Sequence, residues 1–226
     1  MTTHLVTGAG SGIGEVLARR LQDRGDDLVL LARSEQRAGE LRAAYDEAAV
    51  LVADLARPDS LEGLELPERL DSVVHAAGVV GLGPVAELST AAWVEQLTVN
   101  LVAPAVLTRL ALPALRAARG TVVLVNSGAG LSASPEWGAY AASKHGLRAL
   151  ADSLRAEEAP HGVRVSTVYP GRTATPMQEE VHRQEGKAYD AGAWIRPETV
   201  AAAILHVLDL PRDATIPDVT VRPGAA

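Results

Sequence analysis

The sequence predicts an α/β fold, a doubly wound parallel sheet with helices on both faces, in one domain spanning residues 1–226. Three observations carry this expectation. Short, wholly apolar runs recur along the chain, as strands covered on both faces require. Longer segments between them space Leu or Ala at three and four residues, with charges on the other side. A glycine-rich turn joins the first run to the first helix, as in alternating strand–helix architectures.

The elements follow in order. "HLVT" (4–7) reads as the first strand, "DLVLLA" (27–32) as the second, "AVLVA" (49–53) as the third and "SVVHAA" (72–77) as the fourth. "GTVVLVNS" (120–127) and "VRVSTVYP" (163–170) supply two more. The segments 14–25 and 34–48 are amphipathic helices, and 89–118 and 139–159 are the longest helical candidates. Pro104 and Pro113 are expected to kink or break the first of these, because proline lacks the amide hydrogen. The polar stretch 176–195 suits a mobile loop or short helices covering a site.

Composition excludes several classes. Apolar residues make up 47% and charged residues 22%, so the chain is expected to fold. A net charge of −7 argues against a nucleic-acid partner, since non-specific binding rests on surplus Lys and Arg. With no cysteine, disulfides and thiolate metal sites are excluded, and no metal site is expected. The N-terminus lacks the basic and apolar regions of a signal peptide, and no uninterrupted apolar run approaches the ~18 residues of a membrane span. A cytoplasmic protein without a membrane partner is expected.

The glycine turn, "VTGAGSGIGEVLARRL", carries Gly8, Gly10, Gly12 and Gly14. Read from Gly8, G-x-G-x-x-G fails at Ile13; the pattern present is T-G-x-x-x-G-x-G. Glycines there allow a tight turn, and a helix N-terminus then meets a pyrophosphate. The second strand ends in Ala32 and Arg33 where an acidic residue would hydrogen-bond an NAD ribose, which points to NADP(H) in preference to NAD. Ser34 reads as a helix N-cap beside it.

Tyr140 and Lys144 stand four apart, on one face of a helix. A phenol with a pKa of ~10 exchanges protons poorly at neutral pH unless a nearby cation lowers it. Taken alone, the pair reads equally as structural or functional. Ser127, thirteen residues before Tyr140, ends a strand at the sheet edge where α/β proteins bind ligands.

Together, T-G-x-x-x-G-x-G, the strand-end serine and Y-x-x-x-K resemble the short-chain dehydrogenase/reductase family, whose fold is the Rossmann sheet. Further matches are "VADLA" with Asp54, "HAAG" (75–78), "LTVNLVAP" with Asn100, and "YPGRTATPM" (169–177). The resemblance implies that Tyr140 exchanges the proton with the substrate oxygen while hydride passes at the nicotinamide. It implies that Ser127 orients the carbonyl or alcohol and that Lys144 binds the ribose hydroxyls and lowers the Tyr140 pKa. Asn100 would hold a water linking Lys144 to solvent through a helix distortion. Gly8, Ser11, Gly12, Ile13, Gly14, Arg33, Asp54, Leu55, Ala76, Ala77, Gly78, Pro170, Gly171, Thr173 and Thr175 would line the cofactor, along with Tyr140 and Lys144.

The implied activity is NADP(H)-dependent interconversion of a small carbonyl and its alcohol, by a homodimer or homotetramer. The alternative is a catalytically silent NADP sensor on the same fold, for which loss of Tyr140 or Lys144 would be the signature. Two departures stand out. His75 and Ala76 replace the asparagines of the family's N-N-A-G turn, leaving its bonding between strands in doubt. Ser11 occupies a position often basic in NADP-preferring members, so Arg33 carries that preference largely alone. Val79, Val80, Leu131, Trp137 and Met177 are the expected pocket lining. Arg172 is left between a substrate contact and a solvated position, and His145 and His182 are expected to be surface or packing residues.

Overall fold

All six expected strands form, and a seventh joins them. The computed structural model describes residues 1–224. The chain runs β1 Thr3–Thr7, α1 Gly12–Asp23, β2 Asp27–Ala32, α2 Glu35–Ala44, β3 Ala49–Val52 and β4 Ser72–His75. It continues through α3 Thr90–Leu97, α4 Ala103–Ala118, β5 Thr121–Val125, α5 Gly138–Glu158, β6 Arg164–Pro170, α6 Pro176–Gln184, α7 Pro197–Leu208 and β7 Asp218–Val221. The strands form a parallel sheet in the order β3-β2-β1-β4-β5-β6-β7. The order reverses between β1 and β4, and that switch opens a crevice at the carboxyl ends of the strands.

The strand residues alternate between two cores. Val6, Leu30, Val74 and Val123 pack with Leu17 and Leu21 of α1 and Ile204 of α7 on one face. Leu5, Val29, Val73, Val122 and Leu124 pack with Leu107 and Leu115 of α4 and Leu147 and Leu154 of α5 on the other. Both faces are covered, which is why the strand segments read as continuous apolar runs.

Two expectations change. Pro104 falls in the first turn of α4, where its missing N–H needs no partner, and Pro113 lies inside that helix. The interruption comes earlier, as a π-helical turn over Thr98–Val102 that joins α3 to α4. By length and composition the whole stretch Thr90–Ala118 could cross a membrane, yet Ala103, Leu107, Ala111 and Leu115 bury its apolar face against the sheet. Of the two forms expected for 176–195, short helices are the one present at its start: Thr175 caps α6, its hydroxyl accepting from the Gln178 amide.

Tyr45 ties the end of α2 to the glycine turn. Its ring is 2% exposed, and its hydroxyl donates to the Ala9 carbonyl at 2.8 Å. Replacing that hydroxyl leaves a buried carbonyl short of a donor, so Tyr45→Phe is expected to cost about 1 kcal/mol, read as a lower urea midpoint.

Candidate active site

The crevice at the β1/β4 switch is a cleft of ≈ 760 Å³. Its floor begins where β1 hands over to α1. A Cβ on Gly14 would lie 2.4 Å from the Gly8 carbonyl oxygen, so α1 can start this close to β1 only with glycine there; Gly8 itself has φ +74°. Ser11 precedes α1 in an extended conformation, and its side chain makes no capping bond. The first amides of α1 therefore lack a side-chain acceptor at the cleft, an arrangement suited to an anion.

The wall opposite is the turn after β4. The Thr7 hydroxyl accepts from both the Ala76 and Ala77 amides at 3.1 Å. His75 turns away and shares a 2.8 Å hydrogen bond with Thr108 of α4, its pKa pushed down to about 4 by burial. The doubt over this turn is thus resolved: the bonding between strands comes from Thr7 on β1, and not from an asparagine on β4.

The Ser127, Tyr140 and Lys144 side chains converge on the same cleft. Asn126, 4% exposed, fixes their frame: its Oδ1 accepts from the Ser127 amide at 2.8 Å and its Nδ2 donates to the Lys144 carbonyl at 3.0 Å. Lys144 Nζ donates to the Val125 carbonyl at 3.0 Å and stands 5.7 Å from the centre of the Tyr140 ring. Burial lowers the Lys144 pKa to about 8. It raises that of Tyr140 to about 12, with Ser127 acting in the opposite direction. Without a bound partner the protein therefore holds Tyr140 as a neutral phenol, and Lys144 alone does not depress it.

Asn100 sits in the π-helical turn, so the distortion implied by the resemblance is present. Its side chain is fully engaged on the donor side: Nδ2 donates to the Val79 carbonyl at 2.9 Å and to Ser143 Oγ at 3.0 Å, and Oδ1 accepts from the Val79 amide. Ser143 in turn donates to the Tyr140 carbonyl at 2.7 Å. The amide of Asn100 thus braces Val79 against α5. A water contact would fall to its main chain or to the remaining lone pair of Oδ1.

Gly8, Ser11, Gly12, Ile13, Arg33, Asp54, Leu55, Ala76, Ala77, Gly78, Pro170, Gly171, Thr173 and Thr175 line the cleft; Gly14 and Asn100 lie behind its surface. Asp54 Oδ1 accepts from the Ala56 amide at 3.0 Å, which shapes its own loop. Val79, Val80, Trp137 and Met177 line the cleft as expected, whereas Leu131 is 37% exposed and does not. Arg172 lines the cleft and is partly exposed. It pairs with Glu185 and lies 5.8 Å from the Trp137 ring and 5.4 Å from the Trp194 ring. His182 is buried, bonding Gln178 and packing on Tyr189 and Trp194, while His145 bonds the Ala141 carbonyl within α5.

Sequence reading missed two cations on the cleft wall, Arg37 and Arg222. Arg37 lies in the first turn of α2, its Nη2 3.5 Å from the Gly10 carbonyl. Its place in the first turn of the helix that follows Arg33 could have signalled it. Arg222 reaches the cleft only through tertiary structure.

The uncompensated burial of Lys144 has a measurable consequence. Its folded pKa is lowered, so between about 8 and the ordinary 10.5 the folded state binds fewer protons than the unfolded one. The cost is full below pH 8, at up to about 3 kcal/mol, and fades as pH rises through that window. Lys144→Met is expected to raise the urea midpoint at pH 7, with the advantage shrinking towards pH 10.

Comparison with known proteins agrees with this geometry. A family model described as short chain dehydrogenase matches residues 2–186. An uncharacterised oxidoreductase of Staphylococcus epidermidis is 29% identical over 97% of this chain and 96% of its own. A putative ketoacyl reductase of granaticin polyketide synthase from Streptomyces violaceoruber is 34% identical, over 84% of this chain and 72% of that one. Among solved structures, a putative NAD(P)-dependent gluconate 5-dehydrogenase from Beutenbergia cavernae, with bound NADP, superposes with a TM-score of 0.83 at 31% identity, covering 97% and 94% of the two chains. The chain belongs to the short chain dehydrogenase family.

Proposed function

We propose that this chain is an NADP(H)-dependent oxidoreductase that interconverts a small carbonyl compound and its alcohol. The observation that carries the reading is the convergence of Ser127, Tyr140 and Lys144 on the cleft whose floor is the glycine turn. The cleft fits the cofactor: the glycine cradle and the uncapped start of α1 suit a pyrophosphate, and Lys144 Nζ has donors to spare beyond Val125. When bound, the nicotinamide supplies or accepts the hydride.

The protein's own groups handle the oxygen and its proton. Ser127 positions the carbonyl oxygen by hydrogen bonding, and Tyr140 donates the proton that turns the reduced carbonyl into an alcohol. With its pKa pushed up to about 12 the phenol is protonated at neutral pH, the form that can donate to the alkoxide left by hydride addition, and nearby positive charge is what would bring its pKa towards the working range. Lys144 holds the ribose hydroxyls and adds a positive charge beside the phenol. A positively charged nicotinamide would add a second and so favour the reverse direction.

Arg33 and Arg37 at the mouth of the cleft suit the extra phosphate of NADP, a planar guanidinium being the side chain best matched to it. The NADP named with the gluconate 5-dehydrogenase supports the same preference. The whole chain acts as one nucleotide-binding unit, with α6 and the turn at Ala191–Ala193 covering the substrate end. Val94 and Val102, 55% and 43% exposed on the α3–α4 stretch, suit packing against a second copy.

Tyr140→Phe is expected to lower turnover by about 10²–10⁴-fold while NADPH still binds, measured by NADPH oxidation and by nucleotide fluorescence. Unchanged turnover would overturn the assignment. Arg33→Ala and Arg37→Ala are each expected to weaken NADPH binding by about ten-fold or more with little change for NADH, since each removes a charge-assisted contact to the phosphate. Equal losses for both nucleotides would remove the case for NADP.

A further inference from the structure

β7 ends beside the candidate site. It pairs with β6 through Tyr169–Thr220 and Pro170–Val221, and the Gly171 amide donates to the Val221 carbonyl at 2.8 Å. Because the strands are parallel, the first residue beyond β7 emerges at the same carboxyl edge as Ser127. That residue is Arg222. A Cβ on Gly128 would stand 2.7 Å from Arg222 Nη1, so the guanidinium lies directly against the residue that follows Ser127, and it lines the cleft.

The charges at this end do not balance. Arg172 pairs with Glu185, which also takes Lys187 at 3.1 Å, so those three groups together keep one positive charge. Among the described residues no carboxylate pairs with Arg222. Glu95 lines the cleft as well, but with Glu180 it also lines a side recess of ≈ 310 Å³. Val79, Val80, Trp137 and Met177 supply the apolar part of the lining, and Ser132, Ser134, Arg172 and Gln178 its polar part. A guanidinium with no carboxylate partner among the described residues, beside a partly apolar wall, suits a carboxylate, which its planar fork can hold through two parallel bonds.

We infer that Arg222 selects substrates carrying a carboxylate close to the reacting carbon, so that the carbonyl compound is a short oxo acid and the alcohol a short hydroxy acid. This rests on the carbonyl–alcohol reading above and narrows its substrate class. Gly128 takes part as the residue whose missing side chain lets the guanidinium reach the site.

The test is calorimetric titration of short 2- and 3-hydroxy acids and their methyl esters into the full chain with NADP⁺ present, alongside turnover of the same pairs. The wild type is expected to bind acids more tightly than esters. Arg222→Gln is expected to cut that preference by about ten-fold or more, Arg222→Lys to keep part of it, and Gly128→Ala to reproduce the loss with the charge intact. Esters binding as well as acids to the wild type would overturn the inference. So would equal losses for acid and ester in Arg222→Gln, or a matching loss of NADP⁺ affinity, which would put Arg222 on the cofactor. Acid-selective binding that Arg222→Gln abolishes, without turnover of either compound, would support the anion site and overturn the oxidoreductase reading instead.

Discussion

Lys144 brings its ammonium group to the cleft through the interior of the sheet's outer layer. Among the described residues the Val125 carbonyl, 3.0 Å away, is its hydrogen-bond acceptor. A buried cation with so little compensation is costly, and the surroundings show how it is held. Asn126 clamps the Lys144 carbonyl to the end of β5, and Ser143 and Asn100 clamp the Tyr140 carbonyl and Val79. The first turns of α5 are thus tied to the end of β5 through Asn126 and to the π-helical turn through Asn100. Strain kept at such a place is usual where a site needs a charge in a fixed position more than the fold needs stability.

The same fixation explains the residue types around it. Ala139 and Ala141 are buried beside Tyr140, and Gly78 sits so close that a Cβ there would lie 3.1 Å from Asn100 Oδ1. Larger side chains would separate α5 from the turn after β4 and pull Tyr140 away from the glycine cradle. The anion-binding end and the proton-handling end of the proposed site are therefore not independent modules. They are the two sides of one crevice, and its width is set by small residues on α1, on the β4 turn and on α5.

Much of this was legible in the sequence because it depends on local patterns. The strands β1, β2, β4, β5 and β6 are buried and read as apolar runs, the edge strand β3 is apolar though only partly buried, and the glycine turn, Ser127, Tyr140 and Lys144 have fixed spacings. What escaped reading depends on position in the sheet or on partners far along the chain. β7 is an edge strand with Asp218 and Thr220 exposed, so it has no apolar run to announce it. The interruption of the long helix was expected at a proline, the common local cause. It lies at Asn100, where the Val79 backbone and Ser143, twenty-one and forty-three residues away, take the side chain. Arg222 reaches the cleft only because β7 is parallel to β6.

The turn after β4 shows how far a motif can change while its physical task is kept. That turn must satisfy two backbone amides facing β1 and leave room for a ligand above. In the family pattern asparagines stand where this chain has His75 and Ala76. Here the Thr7 hydroxyl accepts from both Ala76 and Ala77, and the freed position holds a histidine that faces α4 and bonds Thr108. His75 is buried and its pKa is pushed down to about 4, so it remains neutral at physiological pH and behaves as a polar core residue. The constraint is satisfaction of the amides, and it can be met from either strand. Two asparagines are one solution; a threonine on the neighbouring strand is another, and it leaves the walls of the cleft where the glycine turn and Tyr140 require them.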